Sequence, residues 1–228
     1  MITYKIDWLA FTLNKRMKTE MSLTEYVDKS LHGLQGHWHG DNPRHGYKIA
    51  ITHESGLQAQ SNGQANMGSH VIIPGSALNT IVEQHSIEDL LAGLLAAQAK
   101  FSRIDLALDV INDPSFVVSD LHKQAIMGNI VTQSRAITYM QSGTEGQTLY
   151  IGSRTSDRFV RIYNKAAEQK AIGKDAPDAW VRIEIELKAD RANNCAHMIG
   201  RGGNVADTIR GQIESFLASR IVWDGSVL

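Results

Sequence analysis

Three segments of this chain alternate apolar and polar residues so regularly that each reads as a β-strand with one face in a core and the other outside it. Side chains along a strand point to opposite faces in turn, so each segment divides into two lists. In residues 103–109, Ile104, Leu106 and Leu108 oppose Arg103, Asp105, Ala107 and Asp109. In residues 182–188, Ile183, Ile185 and Leu187 oppose Arg182, Glu184, Glu186 and Lys188. In residues 158–165, Val160 and Ile162 oppose Phe159, Arg161, Tyr163 and Lys165.

Further alternating runs predict strands at Tyr4–Thr12, Tyr47–His53, Ala136–Gln141 and Gln147–Gly152, and S-G-T-E-G between the last two suits an antiparallel hairpin. Capping boxes at Ser22 with Glu25 and at Ser86 with Asp89 predict helix starts. Leu90, Leu91, Leu94 and Leu95 recur at helical spacing, as do Val205, Ile209, Ile213, Phe216 and Leu217. The stretches 33–46 and 55–69, rich in Gly and polar residues, read as loops. Strands mixed irregularly with helices predict an α+β fold: a mostly antiparallel central sheet, helices packed on one face and the active site on the other.

The polar lists together hold carboxylates for a hard divalent cation, cations for phosphate and an oxygen nucleophile, the inventory of phosphodiester transfer. The competing account is a plainly solvated sheet face, where cross-strand Arg–Glu and Lys–Asp pairs keep the protein soluble. The net charge of −1 gives no global field that attracts nucleic acid, so binding requires local charge. Such charge surrounds Tyr163, where Arg154, Arg158, Arg161 and Lys165 stand against Asp157 alone within residues 150–165. A free phenol titrates near pH ~10 and needs a metal or base to attack at neutral pH. Tyr150 and Tyr163 are both candidates on these grounds.

With 43% hydrophobic residues the chain can bury a sizeable core, and its single cysteine, Cys195, excludes an internal disulfide. No apolar run is long enough for a membrane span and no leader pattern opens the chain, so the expectation is a cytoplasmic protein without membrane contact.

Four segments carry a family resemblance: I-D-W-L-A-F-T, R-I-D-L-A-L-D-V, T-L-Y-I-G-S-R-T-S-D-R-F-V-R-I-Y-N-K-A-A-E and W-V-R-I-E-I-E-L-K. In order and spacing the chain resembles the rolling-circle replication initiators of plasmids and phages, often called the Rep trans family, and related relaxases. The resemblance implies that Tyr163 nicks one DNA strand, stays joined to its 5′ phosphate and leaves a 3′-OH primer, with Tyr150 matching a hairpin tyrosine instead. It implies Mg²⁺ or Mn²⁺ held among Asp105, Asp109, Glu184 and Glu186, with Asp7 a weaker fifth ligand. Arg154, Arg158, Arg161 and Lys165 are then the phosphate-binding residues.

The implied partners are origin DNA, single-stranded or extruded as a hairpin, a host helicase and a second copy of the chain. Relatives of this kind are longer, with added helical or winged regions, whereas this chain ends about forty residues past Lys188. It therefore reads as one nicking domain over residues 1–228, lacking those accessory regions. A relaxase acting on a transfer origin and a non-catalytic DNA-binding regulator with the same fold are the alternatives.

Other motifs read as structural. His37-Trp38-His39 fits a His-hydrophobic-His nickase pattern, but the flanking Gly36 and Gly40 argue against a strand there. His32, His37, His39 and His45 read as a polar loop ahead of a metal site. G-R-G-G at 200–203 lacks the Lys-Ser/Thr of a nucleotide loop and reads as a helix end before a new start at Asn204. Among the tryptophans, Trp8 and Trp180 read as core and Trp38 as the better base-stacking candidate, with Trp223 near the end of the chain.

Overall fold

The computed structural model describes residues 1–216 apart from 32–33, 35, 84, 131, 133 and 144–145. Its strands are β1 (Ile2–Leu13), β2 (Trp38–Gly40), β3 (Ile49–His53), β4 (Gln58–Ser61), β5 (Ser69–Pro74), β6 (Lys100–Ile111), β7 (Ile137–Ser142), β8 (Gly146–Ile151), β9 (Arg158–Asn164) and β10 (Trp180–Lys188). The helices are α1 (Glu20–Ser30), α2 (Gly75–Val82), α3 (Ile87–Ala96), α4 (Val118–Ile126), α5 (Lys165–Ala171), α6 (Ala189–Gly200) and α7 (Val205–Phe216). The strands form an antiparallel sheet in the order β2-β3-β4-β5-β1-β6-β10-β9-β8-β7. The α+β fold expected from the alternation is the fold observed.

The chain divides into two compact units, each assembled from separated stretches. The first comprises Met1–Lys5, Leu106–Leu187 and the segment from Val205. Here β8, β9 and β10 pair so that Leu149 faces Ile162 and Ile162 faces Ile183, with Ile151, Val160 and Ile185 in the next register. All six are buried, each contributing roughly 1.5–3 kcal/mol of transfer free energy. Two helices cover this apolar side. His122 of α4 stacks on Tyr139 at 4.3 Å, and Tyr139 pairs with Leu149. Phe216 of α7 lies under the Arg158 guanidinium at 4.5 Å.

The second unit comprises Ile6–Asp105 and Lys188–Asn204. Leu9 pairs with Ile73 and Phe11 with Val71 across β1 and β5, and Phe11 meets Phe101 at 5.6 Å. Leu23 and Val27 of α1 and Leu90, Leu91 and Leu94 of α3 are buried. Cys195, on α6, is buried too, and desolvation pushes its thiol up to about 12.

The fold departs from expectation at several points. Helix α1 starts a turn earlier than Ser22: Thr19 is the N-cap, and Ser22 is its capping partner. The stretches read as loops contain β2, β4 and the start of β5. Strand β4 escaped notice because, beside the buried Ala59, its buried residues Gln60 and Ser61 are polar and satisfied locally. Gln60 accepts from the Arg44 amide at 2.6 Å, and Ser61 meets Ser69 at 2.9 Å. By contrast, Ser86 does cap α3, accepting from the Asp89 amide at 3.0 Å, and G-R-G-G separates α6 from α7. The tip of the β7–β8 hairpin at 144–145, His32, Leu217 and Trp223 lie outside the described residues. Among the described residues, no helix is long and apolar enough to cross a membrane.

Candidate active site

Strand register gathers the chemistry of the first unit on one sheet face. Across β9 and β10, Tyr163 pairs with Arg182, Arg161 with Glu184 and Phe159 with Glu186. On the other flank, Tyr163 pairs with Thr148 and Arg161 with Tyr150. These residues oppose the buried Val160–Ile162–Ile183–Ile185 side, so a single alternation puts hydrophobic residues under the helices and the tyrosine and charged groups on the opposite face.

The Tyr163 hydroxyl donates to Glu184 Oε2 at 3.2 Å, while Arg161 is ion-paired with Glu184 Oε1. The Glu184 side chain is only 3% exposed and that of Arg161 31%. A buried carboxylate is therefore paired with one guanidinium through one oxygen and accepts the phenol on the other. Beside it, Lys165 lies 5.7 Å from the Tyr163 ring centre and is ion-paired with Glu168 one helical turn along α5. Asn164 sets that turn by accepting from the Ala167 amide at 2.9 Å, the N-cap bond that starts α5 at the edge of the site.

A second ion pair lies under the same face. Arg182 donates through Nε to Asp109 Oδ1 at 2.7 Å and through Nη2 to Oδ2 at 2.8 Å, and Trp180 Nε1 adds a bond to Oδ1 at 2.8 Å. Both charged side chains are almost wholly buried. Both Asp109 oxygens are thus committed within the fold. Trp180, expected in the core, serves here as a polar donor.

The basic residues divide. Arg161 and Lys165 flank Tyr163. Arg154 lies over Tyr150 and Phe159 at 5.4 and 5.6 Å, and those rings stack at 5.7 Å. Arg158 pairs with Leu187 on the apolar side and bonds Ser215 of α7 at 2.9 Å, so it does not join the Tyr163 face. In the second unit Arg103 grips Asp105 at 2.8 and 2.6 Å and covers Trp8 at 4.9 Å. Asp7 lies against the start of α2, where a Cβ on Gly75 would fall 2.5 Å from Oδ1.

Among the described residues, no three His, Cys, Asp or Glu side chains converge as a metal cluster. Mg²⁺ needs fewer, since one or two carboxylates with substrate phosphate commonly suffice. Glu184 and Glu186, which share the Tyr163 face, are carboxylates of the kind such an ion takes; Asp109 is held by Arg182 and, in the second unit, Asp105 by Arg103. His39 stands in β2, contrary to expectation, yet is exposed like His37. Trp38 packs edge-on to His53 at 5.0 Å and bonds Asp28 at 3.0 Å, contacts that hold the fold.

Sequence reasoning missed the recess beside Tyr163. It measures about 590 Å³ and runs between β8 and α5, with Gln147, Thr148, Tyr150 and Ala167 in its wall. The helical continuation after R-I-Y-N-K, with Lys165 and Glu168 one turn apart, was the available signal.

The chain is similar to known proteins in sequence and in fold. Residues 99–219 match the family described as replication initiation factor. A replication initiation protein of Staphylococcus aureus is 38% identical over 101 residues, 42% of this chain and 29% of that protein. A Bacillus subtilis (strain 168) protein described as a DNA relaxase, NicK, is 32% identical over 101 residues, 40% of this chain and 28% of that protein. The chain thus spans less than a third of the length of the curated relatives it matches. A solved rolling circle replication initiator of Geobacillus stearothermophilus has the same fold, with a TM-score of 0.80 and 24% identity over 95% of this chain and 86% of that one.

Proposed function

Because the chain belongs to the replication initiation factor family, we propose that it nicks and rejoins one strand of DNA at a replication origin, with Tyr163 as nucleophile. The observation that carries this reading is the Tyr163 hydroxyl bonded to Glu184, which is buried and paired with Arg161. At 3.2 Å the carboxylate is within reach of the proton it must take.

In this reaction the Tyr163 oxygen attacks phosphorus and its proton passes to Glu184. The P–O3′ bond breaks, and the departing oxygen gains a proton to become the 3′-OH primer. The 5′ phosphate stays on Tyr163 as a phosphodiester, so the reverse attack can rejoin the strand without outside energy. Arg161 holds Glu184 until phosphate arrives, then shares its donors with the phosphate oxygens, while Lys165 adds charge beside the ring. Arg182, fixed by Asp109, anchors the neighbouring position of β10. A Mg²⁺ or Mn²⁺ ion held by Glu184 and Glu186 would supply a Lewis acid that offsets the phosphate charge.

The test is covalent capture. Wild-type protein mixed with single-stranded origin DNA and Mn²⁺ is expected to yield a protein–DNA adduct that survives denaturation. Tyr163→Phe should lose it and Tyr150→Phe keep it, while Glu184→Gln should slow it by roughly 10²–10⁴-fold. An adduct formed by Tyr163→Phe would overturn the assignment, and no adduct from wild type with any origin DNA would favour the regulator reading. The likeness to NicK supports a second reading, nicking at a transfer origin. An adduct with transfer-origin DNA and none with replication-origin DNA would select it.

A further inference from the structure

We propose that the recess between β8 and α5 is a nucleobase subsite, which takes a base next to the phosphate that Tyr163 attacks. This rests on the nicking reading for the identity of that phosphate, and on the recess itself for the rest. At about 590 Å³ the space falls in the range of small-molecule sites, roughly 300–1,000 Å³, and far exceeds what a phosphate alone fills.

Its chemistry is that of a planar, uncharged ring with polar edges. The charged residues of the wall are engaged: Arg161 with Glu184, Glu168 with Lys165, and Lys170 with Asp178 at 3.2 Å. What the wall adds beyond them is aromatic, amide, hydroxyl and methyl surface from Tyr150, Gln147, Thr148 and Ala167. Tyr150 is held in place by Phe159, parallel to it at 5.7 Å with an interplanar angle of 14°, and by Arg154 at 5.4 Å from its ring centre, and it lends aromatic surface to the recess wall. Gln147 and Thr148 offer donors and acceptors for a base edge. Tyr163 belongs to the same wall, so a base seated there lies within one nucleotide of the phenol.

The placement matters because single-stranded DNA is held by stacking and by contacts to unpaired base edges as well as by its phosphates. A seated base fixes which phosphodiester meets the hydroxyl, and so sets the position of the cut.

The experiment compares two probes by calorimetric or NMR titration of the whole chain: thymidine 3′,5′-bisphosphate, and 2-deoxyribose 3,5-bisphosphate, which lacks the base. The thymidine probe should bind at least about 5-fold more tightly, the factor equivalent to the low end of base–aromatic stacking. Ala167→Trp, which fills the recess, should erase the difference and leave the affinity of the baseless probe unchanged. Ala171→Trp does the same from the next turn of α5, and thermal melting confirms that each variant is folded. Equal affinities in the wild type, or a preference that survives both folded variants, would overturn the subsite. Binding needs no cleavage, so the two ideas fail separately. Adduct formation with equal affinities removes the subsite alone, and base preference without any adduct removes the nicking reading.

Discussion

At the scale of the residue, the site rests on two carboxylates placed alike in their strands and partnered differently. Glu184 has one oxygen on Arg161 and the other on Tyr163, whereas Asp109 is taken up entirely by Arg182 and Trp180. The first arrangement leaves a phenol hydroxyl at the edge of an ion pair, and the second closes the pair inside the fold. Removing one member of a closed pair strands the other charge, which typically costs about 3–5 kcal/mol. Asp109→Ala should therefore lose stability on that scale in chemical denaturation, and Asp109→Leu with Arg182→Met should recover much of it. A loss below about 1 kcal/mol, the range of surface pairs, would show that Asp109 does not carry the pair. Alternation alone revealed that Glu184 and Tyr163 lie on polar strand faces. It did not reveal which acid meets which arginine, because Asp109 and Arg182 are 73 residues apart and meet only through the fold.

At the scale of the element, alternation announced most strands with one apolar face, although β5, with Val71 and Ile73 buried, was not among the segments read from it. All seven alternating segments became strands, since burial of one face fixes both their periodicity and their register. Strand β4 stayed hidden because Ala59 is its one apolar residue, while its other inner residues, Gln60 and Ser61, are polar and bonded to Arg44 and Ser69. The α1 boundary shows how local the remaining ambiguity is. Ser22 with Glu25 and Thr19 with Ser22 both offer a hydroxyl three residues ahead of a polar partner, and the chain uses the earlier pair. Thr19→Ala should cost about 0.5–2 kcal/mol by loss of the cap. Glu25→Ala should stay within about 0.5 kcal/mol, as for an ordinary surface change. Equal losses from the two variants, compared by their denaturation midpoints, would place the cap elsewhere.

At the scale of the whole molecule, each unit draws on stretches far apart in sequence, which is why no linker can be read along the chain. Stability then depends on groups that only the assembled fold desolvates, and His70 is one of them. It stacks on Tyr47, with ring centres 6.5 Å apart, and meets Thr12 at 3.2 Å. Burial chiefly, and His45 secondarily, hold its pKa below the usual 6.5, although a backbone bond to Phe11 opposes them. The folded state therefore favours neutral His70. Well above pH 6.5 His70 is neutral in both states and contributes no pH dependence. As pH falls below 6.5 the unfolded chain binds a proton that the folded chain declines, so stability drops until the lowered folded pKa is reached. The melting temperature of the wild type should accordingly fall between pH 7.5 and pH 6.0. His70→Phe keeps an aromatic ring against Tyr47 without a titrating group, and its melting temperature should fall less over the same interval. Parallel declines in the two proteins would mean that another group carries the acid sensitivity, whereas a smaller decline in the variant ties it to this buried imidazole.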